Sequence, residues 1–311
     1  KRFFIGKKEL TTISYISYSN TNTYQNMIQN RFLFDESIQS TFRDNNYTNN
    51  VRLGAMSNWS LILNPKNKIE FRNVFNQLAT KETVIRSGEL FENNLEVANQ
   101  SFRYEQKSIL SSQLNGTHEL NDKTRFKWIG GFGYTQRSEP DFRRFTSSRA
   151  LGSEGAYKID LQQFESPTLQ QAARFWSNMD EFVLTATASV DRVIGTKHSD
   201  NDKNKVFKAG FYSEYKDRYF KARWFGIVNP NRVDASITSQ TPEAFFNNDN
   251  LRSSRVFYSE GTNFDDKYTA QNILNAGYVS MYVPFTDKFN ATFGLRGEYN
   301  QQLLQSRERG G

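Results

Sequence analysis

From Val51 to Phe75 the chain alternates apolar and polar residues on either side of a turn. Val51, Leu53, Ala55, Trp59, Leu61 and Leu63 share one parity, and Arg52, Gly54, Asn58 and Ser60 share the other. Asn64-Pro65-Lys66-Asn67 has turn composition. Beyond it Ile69, Phe71 and Phe75 alternate with Lys68, Glu70, Arg72 and Asn76. Successive side chains of a strand point to opposite faces, so this stretch predicts a hairpin with one apolar and one charged face.

The same unit recurs. Lys8 to Ser19 reads as a strand with blurred alternation. Phe102 to Leu120 carries Phe102, Tyr104, Leu110, Leu114 and Leu120 on one face, turns at Asn121-Asp122-Lys123, and returns through Phe126, Trp128, Phe132 and Tyr134. Phe182, Leu184, Ala186, Ala188 and Val190 mark the next strand, and Lys205 to about Phe225 another. A last hairpin, Asn272 to Tyr299, turns at Pro284-Phe285-Thr286-Asp287-Lys288. It places Leu274, Ala276, Tyr278 and Tyr282 on the apolar face of one arm, and Phe289, Ala291, Phe293, Leu295 and Tyr299 on the other. Segments 20–46, 81–100, 135–179 and 228–268 lack alternation and read as long connections. The links between them are short.

Strands longer than the five or six residues usual in soluble proteins, with short turns at one end and long loops at the other, match outer-membrane barrels. The expectation is an all-β transmembrane antiparallel up-and-down β-barrel. About nine strands of a larger barrel would occupy residues 1–311 as part of one domain. A water-soluble sandwich or solenoid would show the same alternation with a protein core in place of lipid.

Composition narrows the chemistry. Aromatics make up 15% of the 311 residues, with 27 Phe, which suits β-structure. There is no Cys and there are 2 His (His118 and His198), so neither a disulfide framework nor a Cys or His metal centre is expected, and no cofactor. The net charge of +7 is spread among acidic residues in every strand, which argues against nucleic acid as a partner. No apolar run approaches the roughly 18 residues of a helical span, but a membrane strand needs only about 9–11. KRFFIGKKEL lacks the apolar stretch of a signal peptide. The abrupt ends predict an internal fragment.

No nucleophile elbow, phosphate-binding loop or dinucleotide fingerprint is present, so no enzyme is expected. Asp141, Asp160, Glu165 and Asp180 lack ligand spacing and read as solvated. Ligand contact is expected in the 135–179 connection, from Arg143, Arg144, Tyr157 and Trp176. The two arginines would clamp a carboxylate or phosphate, and the aromatics would stack on a ring. Within it, Ser166-Pro167 opens a predicted short helix over 166–176. Arg52, Arg72, Arg296 and Glu298 are expected on the lumen face, contacting a plug or forming an ion-pair lattice.

Three stretches carry a resemblance. The final hairpin, YVSMYVPFTDKFNATFGLRGEYN (278–300), with Gly294-Leu295-Arg296-Gly297-Glu298, resembles the barrel hairpins of TonB-dependent outer-membrane receptors. LILNPKNKIEFRNVF (61–75) resembles another such hairpin, and YTQRSEPDFRRF (134–145) the start of an extracellular loop. The resemblance implies a Gram-negative outer-membrane location and energised import of a scarce small molecule, glycan or peptide. It also implies a plug domain outside this stretch that contacts the TonB complex, and, as in glycan- and peptide-importing relatives, a surface lipoprotein lid. A passive outer-membrane channel and a soluble carbohydrate-binding β-domain are the alternatives.

Overall fold

A computed structural model describes residues 1–6, 8–163, 165–196, 203–230, 235–246, 249–251, 256–286 and 288–306. His198 and Asp287 lie outside the described residues. Nine long strands dominate: β2 (Lys8–Phe32), β3 (Ile38–Asn64), β4 (Asn67–Leu90), β5 (Leu95–Asn121), β6 (Thr124–Phe145), β9 (Ala173–Ile194), β10 (Lys205–Val228), β12 (Lys267–Thr286) and β13 (Phe289–Ser306). Four short strands complete the set of thirteen among the described residues: β1 (Arg2–Ile5), β7 (Ser147–Ala150), β8 (Lys158–Ile159) and β11 (Phe257–Glu260). All belong to one antiparallel up-and-down sheet, ordered β1-β2-β3-β4-β5-β6-β9-β10-β12-β13, with β7, β8 and β11 attached beside it. Its two edges, β1 and β13, are not paired with each other among the described residues.

Every strand read from the sequence lies inside one of the nine long ones, but several proposed loops are strand. Residues 20–46 are the upper arms of the β2–β3 hairpin, whose connection is only 33–37. Residues 81–100 are largely the paired ends of β4 and β5. The 135–179 loop shrinks to 146–172, and 166–176 forms no helix, since Ala173–Trp176 already open β9. These arms have no alternation because polar side chains bond along both faces. The Asn49 amide donates to Asn20 and Asn22 at 2.6 and 2.8 Å, Tyr24 Oη donates to Asn45 at 2.8 Å, and Thr80 Oγ1 donates to Asn50 at 2.8 Å.

The turns follow the sequence. Asn64 Oδ1 accepts the Lys66 N–H at 3.0 Å, and Asn121 Oδ1 accepts the Lys123 N–H at 3.0 Å. Both are Asx turns. Thr286 Oγ1 accepts the N–H of Phe289 at 3.0 Å to close the last hairpin.

The register assigns the faces. Trp59 pairs with Phe71, Phe71 with Leu114, Leu114 with Gly130, Gly130 with Ala186, Ala186 with Ser213, Ser213 with Asn275 and Asn275 with Tyr299. Directly paired residues share a face. One correction results. Leu274, Ala276, Tyr278 and Tyr282 pair with Glu214, Tyr212, Gly210 and Val206, and so belong to the polar face. The apolar face of β12 is instead Ile273, Gly277, Val279 and Met281. The Tyr278 ring lies over Gly210, where a Cβ would come within 2.5 Å of it, which accounts for that aromatic on the polar face. Gly116 and Trp128 repeat the device on the apolar face as a direct cross-strand pair, with a Cβ on Gly116 reaching 2.1 Å from the indole nitrogen. The indole donates to His118 Nε2 at 3.0 Å, and His118 Nδ1 bonds Asn67 Oδ1 at 2.7 Å.

Replacing Gly116 by Val would drive the Trp128 ring out of place. The expected cost is about 1–3 kcal/mol, the usual range for overpacking. Urea unfolding followed by tryptophan fluorescence measures it, and a variant as stable as the parent removes this account of Gly116.

Candidate functional site

The polar face is built from charged side chains that pair across and along strands. Arg72 donates to Glu70 at 3.3 Å, Lys68 sits 2.9 Å from Glu70, and Arg296 donates to Glu298 at 2.5 Å. Higher up, Glu139 accepts from Arg103 at 2.6 Å and from Arg137 at 3.1 Å, while Glu105 pairs with Arg137 and, at 3.2 Å, with Lys107. Arg72, Arg296 and Glu298 therefore have the partners that an ion-pair lattice provides. Arg52 pairs in register with Leu78 and Ser19, and lines a shallow hollow with Gly54, Asn76 and Lys107.

The two arginines proposed as one clamp are separated by a bulge. In β6 the run Glu139-Pro140-Asp141-Phe142 carries one more residue than the strands on either side. Pro140 has no N–H for the ladder, and Asp141 adopts φ 63°. The extra residue reverses the parity that follows. Arg143 pairs with Phe102 and Arg174 on the apolar side, while Arg144 pairs with Ser101 and Ala173 on the polar side.

Arg143 is committed locally. Its Nε donates to Asp141 Oδ2 at 2.7 Å, and Arg174 grips the same carboxylate with two bonds of 2.6 Å. The Arg174 guanidinium lies 4.9 Å from the Trp176 ring and 5.6 Å from that of Tyr258. Trp176 stands on β9, edge-on to Phe225 at 5.5 Å. Tyr157 donates to Glu96 at 3.2 Å beneath the Arg149 guanidinium, 4.5 Å from its ring, so it ties the 146–172 connection to β5. The scattered carboxylates also have separate partners: Asp160 accepts from Ser148 at 2.7 Å and Asp180 from Tyr134 at 2.6 Å.

Arg144 is different. It lines a cavity of about 310 Å³ on the polar face with Arg86, Asp44, Asn99, Ser101 and Phe142. Arg86 is held by Asp44 in a bidentate pair, both bonds 2.7 Å, and stacks 4.7 Å from the Phe42 ring. Among the described residues the Arg144 side chain has no ion pair or hydrogen bond. Burial, and then the neighbouring Arg86, pull its pKa below the ordinary arginine value. The guanidinium still carries its charge at neutral pH. The dipeptide signal Arg143-Arg144 was legible in the sequence. Arg86 and Asp44 were not, because they lie on arms that showed no alternation.

Above this cavity the two longest connections pack together. Phe145, Ile159, Ala172, Ile227, Ile237, Phe245 and Val256 form a buried cluster, with Phe145 and Phe246 ring centroids 5.9 Å apart. Asn229 N–H donates to Gln162 O at 2.8 Å, and Ser259 Oγ to Glu165 O at 2.8 Å. One end of the sheet thus carries a packed cap rather than independent loops.

Asp141 supplies a pH test. Burial raises its pKa, but the bonds from Arg174 and Arg143 outweigh that and hold it below 3.8. A depressed folded value contributes stability above 3.8 that is lost as pH falls through the folded value. Asp141→Ala should lower stability at pH 7 by on the order of 1–3 kcal/mol. The gap between variant and parent Tm should close as pH drops through about 4 and below.

No family model matches this chain, and no curated protein matches it. Among solved structures, Pseudomonas aeruginosa OccK8 (OprE) aligns at 8% identity over 96% of this chain and 99% of that one, with a TM-score of 0.11. That score is too low to carry any argument about fold or function.

Proposed function

We propose that this chain is part of the wall of an outer-membrane β-barrel and serves energised uptake of a scarce ligand. The observation that carries the membrane reading is a belt on the apolar face. Val51 to Leu61, Ile69 to Ala79, Leu110 to Leu120, Phe126 to Tyr134, Phe182 to Val190, Phe207 to Tyr215, Ile273 to Val283 and Phe289 to Tyr299 supply it. Each segment is about as long as the 9–11 residues that a tilted strand needs to cross hydrocarbon. Above the belt the same face carries polar Asn49, Lys81, Gln106, Gln136, Asp180, Asp217 and Gln271, interspersed with the aromatics Phe102, Tyr104 and Tyr219, as at a membrane–water interface. On neighbouring strands the change to polar residues falls at directly paired positions, as at Asn49 with Lys81, Gln136 with Asp180 and Asp217 with Gln271, or two residues away, and a soluble sheet has no reason to keep it so level. A bilayer does, because its hydrocarbon has a fixed thickness.

The finer reading, TonB-dependent transport, draws on the hairpins at 61–75 and 278–300 and on strands that rise far above the belt. In it the polar face lines the route, the plug and TonB lie outside this stretch, and the cap faces the exterior. No covalent chemistry is part of the proposal.

Two measurements test it. Leu184→Arg, on the belt, should destabilise the membrane-inserted protein by about 2–4 kcal/mol, whereas Thr187→Arg, on the polar face, should cost far less. Equal costs would return the chain to the soluble class. In planar bilayers the intact protein should show no steady conductance. An open, energy-independent conductance would favour the passive channel.

A further inference from the structure

The cavity around Arg144 has a charge account that does not close. Its lining holds two guanidinium groups and one carboxylate, Asp44. Asp44 is spent on Arg86 through two 2.7 Å bonds, and its side chain is only 3% exposed, so it cannot also serve Arg144. One cation is left over. A half-buried cation facing a second cation is disfavoured unless something anionic joins it. Lattice partners sit close by on the same face, where Glu139 and Glu105 gather Arg103, Arg137 and Lys107. The chain therefore compensates its cations there and leaves Arg144 out.

Beside the apolar Met27, Val84 and Phe145, the remaining walls carry groups that suit an oxygen-rich solute. Ser101 and Thr146 bring hydroxyls, and Phe142 brings a flat apolar surface. Asn99 accepts the Ser147 N–H through Oδ1 at 3.3 Å, so its amide N–H₂ keeps its donors. The volume of about 310 Å³ is at the small end of the range for ligand sites, room for one sugar or one amino-acid residue. Gly88 shapes the neighbouring wall. A Cβ there would fall 2.9 Å from the Phe42 backbone, so only glycine lets Phe42 lie where Arg86 stacks on it.

We infer that this cavity is an oxyanion subsite, in which Arg144 receives a carboxylate, phosphate or sulfate group of the ligand while Asn99, Ser101 and Thr146 bind its neutral oxygens. As a statement about cargo this rests on the uptake reading. As a statement about binding it does not.

The test is calorimetric titration of the intact detergent-solubilised protein with glucuronate, inorganic phosphate, sulfate and, as the uncharged control, glucose. Glucuronate should bind and glucose should not. Arg144→Gln should weaken glucuronate at least about tenfold, the loss expected for one charge-assisted contact, and Arg144→Lys should retain most of the affinity. Because Arg144 has no partner to abandon, the Gln variant should keep the parent Tm. Asp44→Asn, which leaves Arg86 as a second cation without a counter-ion beside Arg144, should tighten glucuronate. Competition by phosphate would identify a general oxyanion site, and its absence a carboxylate site. If none of the three anions binds the parent, or if Arg144→Gln binds glucuronate as the parent does, the inference is overturned. A failure of the energised-uptake reading would appear elsewhere, as uptake that survives collapse of the proton gradient with this binding intact.

Discussion

A strand in this sheet satisfies its backbone only through its two neighbours. The antiparallel ladder therefore decides the direction of every side chain from β2 to β13. Along the ladder, residues are locked in direct pairs, and a slip of one residue would exchange the two faces of a strand. Trp59, Phe71, Leu114, Ala186 and Tyr299 stand on one face because the register links them, not because their own strands demand it. The charges opposite are tied into pairs by the same register, as Glu139 between Arg103 and Arg137 shows.

Where the ladder is interrupted, chemistry appears. The bulge at Pro140-Asp141 turns two adjacent arginines onto opposite faces. One becomes structural, joined with Arg174 on a single carboxylate under Trp176 and Tyr258. The other enters a cavity where a fully satisfied pair, Arg86 and Asp44, leaves it without a counter-ion. The same extra residue thus serves both to anchor the cap side of β6 and to expose an uncompensated charge. Bulges commonly re-aim side chains beside functional sites.

Close cross-strand approaches fix two aromatic positions, one of which, Tyr278, alternation alone misplaces. Tyr278 over Gly210 and Trp128 over Gly116 fill the gap that a glycine leaves in the pleat. The first pair puts a tyrosine on the polar face, and the second puts an indole against His118, whose other nitrogen reaches Asn67. The ring covers backbone that would otherwise be bare, so its position follows its partner strand rather than a preference for either solvent.

The sequence by itself determined the lower halves of the nine long strands, their turns at Asn64 and Asn121, and the apolar parity of every long strand except β2, whose alternation is blurred, and β12, where it is misplaced. It could do so because there one face is built of apolar side chains and the other of polar ones, and that contrast writes a period of two into the residues. It was silent on the upper halves, such as residues 20–46 and 81–100, because both faces of those arms mix polar side chains with isolated apolar ones such as Ile28, Phe42 and Ile85. Asn, Thr and Tyr bond across strands there without leaving a period. Only the tertiary structure could place Arg144 beside Arg86 and Asp44, 58 and 100 positions away in sequence. A one-residue bulge at Pro140-Asp141 and the successive pairing of β3, β4, β5 and β6 decide that meeting, and pairing between strands so far apart leaves no local mark on the chain.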